Sequence, residues 1–270
     1  MTTAMNPYYL LQSSQRQRVS DGSVVPLDQG WAGDYRLLLV WPQLGDFDSL
    51  EYAWWIQRQR SQLQALGVTV RAVGIGDRGA GQRFCDYSGF PGADLFVDPQ
   101  GELHQQLGLY PGLQVPLPGV SPRQRAMVNL LLMCAGVGSP GTLGEVFRGY
   151  WGDRRAPQLI ADDEVVEAKP LPPLRGSVFR WAGGQGFQRP FELATLRLRN
   201  MAEVLSHWST YVPDGAQVTQ RGGTFLWGAT GELLYEHRDR GLLGFSASMG
   251  NPLQFLDQFL DQCLDPAVSP

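Results

Sequence analysis

Residues Arg36 to Ile75 constrain this chain more than any other stretch, because they read as strand, loop, helix and strand in succession. Leu37, Leu38, Leu39, Val40 and Trp41 make the continuous apolar run of a strand buried on both faces. Pro42 to Ser49 is a loop. From Leu50 the apolar residues Ala53, Trp54, Ile56, Leu63 and Leu66 recur at helical spacing, with Arg58, Arg60 and Gln64 between them. Gly67 stops the helix where a left-handed residue costs little, and Val68 to Gly76 reads as a second buried strand. A parallel pair joined through a helix is a right-handed βαβ unit, whose functional end is where the first strand hands over to the helix. That end is the Pro42–Ser49 loop.

Two later stretches have the same character. Leu95 to Leu109 (LFVDPQGELHQQLGL) reads as strand, Asp-Pro turn and short helix. Gln220 to Asp239 (QRGGTFLWGATGELLYEHRD) reads as a β-hairpin entered through Gly-Gly and left through Glu-His-Arg. With the Arg36–Ile75 unit, these motifs resemble the AhpC/TSA-type peroxiredoxin-like 2 family over Arg36–Leu109 and Gln220–Leu264. Phe47 to Trp55 (FDSLEYAWW) is similar to the subgroup seen in cyanobacteria and plastids. The resemblance implies an α/β thioredoxin-like fold, a central mixed sheet flanked by helices. On this reading residues 1–33 are an N-terminal extension covering one end of the sheet. Residues 34–270 form the domain, with 110–221 as a largely helical insertion before the closing β-hairpin.

Family members with thiol chemistry carry a cysteine in this loop, where the helix field and free N–H groups favour the thiolate. Gly45 to Glu51 contains none. Asp46 or Asp48 as N-cap, with Glu51 three residues after Asp48, reads as a capping box in which Asp replaces Ser or Thr. The alternative use of Asp46, Asp48 and Glu51 is carboxylate chemistry. The missing cysteine implies that peroxidase activity is lost and that the chain binds a protein partner or a small ligand. The residues expected to form such a site are Asp46, Asp48, Ser49, Glu51, Gly222, Gly223, Thr224 and His237. The competing expectation is a thiol-dependent antioxidant oxidoreductase using Cys85, with Arg221 or His237 lowering its pKa. His237 and Asp239 share one side of a strand end, but no nucleophile nearby in the sequence completes a triad.

Hydrophobic residues at 43% and charged residues at 18% place the chain among ordinary globular proteins. A net charge of −4 supplies no pull toward nucleic acid or an anionic membrane. Three widely spaced cysteines (Cys85, Cys134, Cys263) and three single histidines (His104, His207, His237) suggest neither a disulfide framework nor a metal-ligand cluster. Gly74, Gly76, Gly79 and Gly81 have the wrong spacing for a dinucleotide loop. No cofactor is implied. No window is apolar enough for a membrane span or a signal peptide, so the expected location is cytoplasmic.

Elsewhere the pattern predicts a short helix at Tyr8–Leu11, an edge strand at Val24–Leu27 and a helix beginning at Gln82. Ser121-Pro122 should start a helix over 123–134, apolar nearly all round and so buried in the protein or in an interface. A helix from Pro190 to Tyr211 should turn Phe191, Ala194, Leu198, Met201, Leu205 and Trp208 to the core, with Leu193, Leu196 and Val204 widening that face. A homodimer or protein partner could instead use the helices 123–134 and 190–211. Pro252–Leu264 should close the chain as an amphipathic helix with Leu253, Leu256, Phe259, Leu260 and Cys263 inward.

Overall fold

The computed structural model describes residues 7–182 and 187–258. Helix α1 (Tyr8–Ser13) leads into strands β1 (Gln15–Arg18) and β2 (Val24–Pro26). The central unit follows as β3 (Tyr35–Gln43), α2 (Phe47–Arg58), α3 (Arg60–Ala65) and β4 (Val68–Ile75), then α4 (Arg78–Ser88), β5 (Leu95–Val97) and α5 (Glu102–Gln106). The insertion carries α6 (Pro122–Cys134), α7 (Thr142–Trp151), β6 (Asp153–Pro157), β7 (Val165–Val166) and β8 (Leu174–Arg175). A 3₁₀ turn (Gly176–Ala182), β9 (Phe187–Gln188), α8 (Glu192–Ser206) and α9 (Trp208–Tyr211) complete it. The hairpin β10 (Gly223–Gly228) and β11 (Leu233–Arg238) returns to the sheet.

Seven strands form one mixed sheet in the order β11-β10-β3-β4-β5-β1-β2. The run β3-β4-β5 is parallel and the flanking pairs are antiparallel. Successive side chains of β3 alternate between two cores, as the pleat requires. Leu37, Leu39 and Trp41 join the cluster under α2, α4 and α8; Leu38 and Val40 join the one holding Leu11, Trp31, Leu103 and Leu109. Burial on both faces explains why β3 reads as an unbroken apolar run. Gly67, at φ 67°, takes the left-handed position that ends the first crossover. The register skips from Trp41–Gly74 to Gln43–Ile75, so Pro42, which has no N–H to pair, sits in a bulge.

Several expectations need correction. The N-terminal segment does more than cover the sheet: β1, hidden in a polar stretch, pairs with β5 and with β2 to extend it by two strands. Helix α4 starts earlier than Gln82, because the Asp77 side chain accepts the Ala80 N–H and caps it. Helix α6 is capped by Ser121 as expected, with Gln124 completing a capping box, but it is not buried all round, with Leu131 61% exposed. Helix α8 breaks at His207, and its inward face is Leu193, Leu196, Asn200 and Val204. Leu193, Leu196 and Val204, expected to widen the inward face, are buried, but the expected centre of that face is not, and Leu205 is 60% exposed. At the C-terminus, Leu253 and Leu256 are buried beside a short 3₁₀ turn, Gln254–Leu256. Phe259, Leu260 and Cys263 lie outside the described residues.

Gly222 brings the hairpin against β3 so closely that a Cβ there would lie 2.1 Å from the Val40 carbonyl oxygen. Gly222→Ala should therefore destabilise the protein by about 1–3 kcal/mol in urea unfolding. No change in midpoint would show that the backbones can separate without loss.

Candidate functional site

The end of β3 and the start of α2 form a site around a buried guanidinium. Asp46 has extended backbone and caps α2, its side chain accepting the Asp48 N–H at 3.0 Å. Its other oxygen accepts from Arg221 Nη2 at 2.6 Å. Arg221 has no exposed side-chain surface. It also donates to the Thr219 and Val218 carbonyls, and its Nη1 lies 3.5 Å from Asp48. The opposing carboxylates outweigh burial and raise the Arg221 pKa further.

The two carboxyls deeper in the cluster behave differently. Burial, with the neighbouring Asp46 charge, raises the Asp48 pKa well above the ordinary carboxylate range against the pull of Arg221. Both Asp48 oxygens accept the Leu243 N–H, at 2.9 and 2.8 Å. Burial pushes Asp239 up to about 7, with Arg221 and the Gly222 N–H opposing the shift. His104, on α5, is fully buried, and burial lowers its pKa to about 4. Its neutral ring makes a 2.8 Å hydrogen bond to the Trp41 carbonyl at the end of β3.

A cavity of about 860 Å³ opens over this loop. Gln43, Asp46, Phe47 and Asp48 form one wall, and the insertion supplies most of the rest through Leu130, Tyr150, Phe179 and Trp181. The α8–α9 face expected to enter the core lines it instead: Phe191, Ala194, Leu198, Met201 and Trp208. Arg197 lies at this wall within an ion-pair cluster, with Glu51 at 2.7 Å and Glu145 at 2.8 Å. Burial works against its charge, but the two glutamates outweigh it and raise the pKa. The two non-glycine residues with left-handed backbone among those described, Phe191 at φ 65° and Leu243 at φ 54°, both line this cavity.

Of the residues expected at a site, Asp46 and Asp48 line the cavity. Ser49 is buried and donates to the Gln43 carbonyl. Glu51 does not close a capping box: its carboxylate faces Arg197 across the α2–α8 contact, so the cap is Asp46 alone. Gly222 and Gly223 are packed into the sheet, and Thr224 bonds the Tyr52 hydroxyl at 3.1 Å. His237 pairs with the Gly244 carbonyl. Cys85 is half-buried in α4, and burial, then Asp86, raises its pKa to about 12. Neither Arg221 nor His237 acts on it. The described cysteine at the cavity is Cys134, the last residue of α6, whose pKa is raised by desolvation and by Asp46. Sequence reasoning missed Arg221 as the organiser, Cys134, and the whole insertion wall. The one signal for Arg221 was its place directly before Gly-Gly.

This mixed sheet, flanked by helices and with its loop site at the end of the first βαβ strand, is a thioredoxin-like α/β architecture. The family model described as AhpC/TSA antioxidant enzyme matches residues 55–241, more than half of the chain, and the protein belongs to that family. The match begins at Trp55, inside α2 and beyond the Pro42–Ser49 loop. No curated protein is similar enough to match the chain.

Two outcomes follow from the cluster. Arg221→Leu leaves Asp46 and Asp48 unneutralised and should cost about 3–5 kcal/mol in urea unfolding. A loss below about 1 kcal/mol would show that the cluster relaxes into solvent. Asp239 has a folded pKa above its unfolded one, so its contribution is present at low pH and disappears as pH rises toward about 7. The stability of Asp239→Asn relative to wild type should therefore increase from about pH 5 to about pH 7.5, by on the order of 2 kcal/mol. A difference independent of pH would refute the raised pKa.

Proposed function

We propose that this protein binds a small, largely apolar molecule in the cavity over the Pro42–Ser49 loop and has lost the peroxidase chemistry of thiol-bearing relatives. The observation that carries the reading is the pairing of that cavity with a loop in which an Arg221–Asp46–Asp48 cluster occupies the helix start and no cysteine is present. A thiolate nucleophile is favoured by a helix N-terminus or a nearby cation that lowers its pKa. Here the nearest guanidinium is already neutralised by carboxylates, and the same carboxylates disfavour a negative sulfur at Cys134.

The cavity has the size and composition of a small-molecule pocket, apolar walls with a few polar groups at one end. Left-handed backbone at Phe191 and Leu243 supports the same reading, since such strain collects at ligand sites. Trp181, 94% exposed, and the half-exposed Phe191 stand at the wall of the cavity and give an apolar route into it.

With dithiothreitol and hydrogen peroxide, the wild type should consume peroxide no faster than a variant with Cys85, Cys134 and Cys263 all changed to serine. The neutral dye Nile red should bind the wild type, and Ala194→Trp, which intrudes on the cavity, should weaken it about tenfold. Peroxide turnover that disappears in Cys134→Ser, or dye binding indifferent to Ala194→Trp, would defeat the proposal.

A further inference from the structure

Resting on the reading of the cavity as a ligand site, we infer that its ligand is an aromatic compound without negative charge, held by the rings that converge on the cavity wall. Phe47 opens α2, Tyr150 belongs to α7, Phe179 and Trp181 to the 3₁₀ turn, Phe191 precedes α8 and Trp208 begins α9, yet all six line one space. Tyr150 and Phe191 meet edge to face, with centroids 6.1 Å apart and planes at 75°. The Phe191 N–H donates to the Gly149 carbonyl at 3.0 Å and holds that left-handed residue beside α7. Among the described residues, the rings of Phe47, Phe179, Trp181 and Trp208 pair with no other ring. The aliphatic side chains between them accept any apolar body, so the rings set the preference. A ring pair adds roughly two- to tenfold in affinity beyond the area that it buries. An aromatic guest supplies the partner that these rings lack.

The charges at the wall exclude anions. Arg197 is bound to Glu51 and Glu145, while Asp46 and Asp48 face Arg221, whose side chain has no exposed surface. An incoming carboxylate would find no unpaired cation among the described residues of the wall and would meet two aspartates. It would lose its hydration without compensation. The uncharged polar groups differ in what they leave open. Thr142 donates to the Leu242 carbonyl and Thr195 to the Phe191 carbonyl. Tyr150, half-exposed, keeps its hydroxyl without a hydrogen-bond partner among the described residues.

Three probes of one carbon skeleton separate the possibilities: 2-naphthalenemethanol, its saturated counterpart decahydro-2-naphthalenemethanol, and 2-naphthoate, titrated calorimetrically at about pH 7, where the acid is ionised. The aromatic alcohol should bind about fivefold tighter than the saturated one, although the saturated rings are the more hydrophobic, and at least about tenfold tighter than naphthoate. Trp181→Leu and Trp208→Leu should each narrow the gap between the two alcohols. Trp181 is 94% exposed, so its replacement leaves the core intact. A saturated alcohol that binds as tightly as the aromatic one, or naphthoate that does, would overturn the inference while leaving the cavity as a ligand site. So would a gap unchanged in both variants, or Nile red bound where none of the three probes is. Failure of Nile red and all three probes to bind would remove the ligand-site reading itself.

Discussion

A guanidinium with no exposed surface is among the least favourable groups a protein interior can hold, and the loop end of this fold is arranged to satisfy Arg221. The side chain draws together Asp46 at the start of α2, Asp48 in its first turn, and the carbonyls of Val218 and Thr219 leading to the closing hairpin. It therefore ties the first βαβ unit to a segment far away in the chain. Asp48 carries the connection onward to the strained Leu243 backbone, and Asp239 closes it by pairing with Gly222. The start of α2 is thus a structural junction in which Arg221 is paired with Asp46 and Asp48.

A second ion-pair cluster holds the insertion in place. Arg197 on α8 reaches Glu51 on α2 and Glu145 on α7, so the helices forming the cavity wall are fastened to the helix that begins at the loop. Such buried pairs add little net stability compared with apolar packing, but they penalise any other register of the contacting helices. The cavity lies beside this contact, between the start of α2 and the α6, α7 and α8 helices of the insertion. Apolar surface that is not buried against another element remains available to a ligand.

The legibility of the chain varied with how local the determining physics was. Strands β3 and β4, the stop at Gly67, the Ser121–Pro122 helix start and the β10–β11 hairpin follow from burial pattern and turn chemistry, and they stand where the sequence placed them. Strand β1 was illegible because an edge strand of Gln and Arg gains its structure from pairing with β5, not from its own apolar period. Helix α8 was legible as a helix but not in orientation. Both of its sides carry apolar residues, and periodicity cannot tell a core face from a cavity face. Glu51 was expected to cap α2 because its spacing allows it. A buried partner charge, Arg197, attracted it more strongly than a backbone N–H.

By itself the sequence determined the fold class, the position of the loop between β3 and α2 and the absence of a thiol in it, since these depend on local periodicity and on which residues are present. Only the tertiary structure decided that Arg221 neutralises that loop, that Cys134 rather than Cys85 lies near it, and that the insertion encloses a cavity above it. Each of these is a contact between segments distant in sequence, set by the matching of buried charges and apolar faces in three dimensions, which no single stretch of chain encodes.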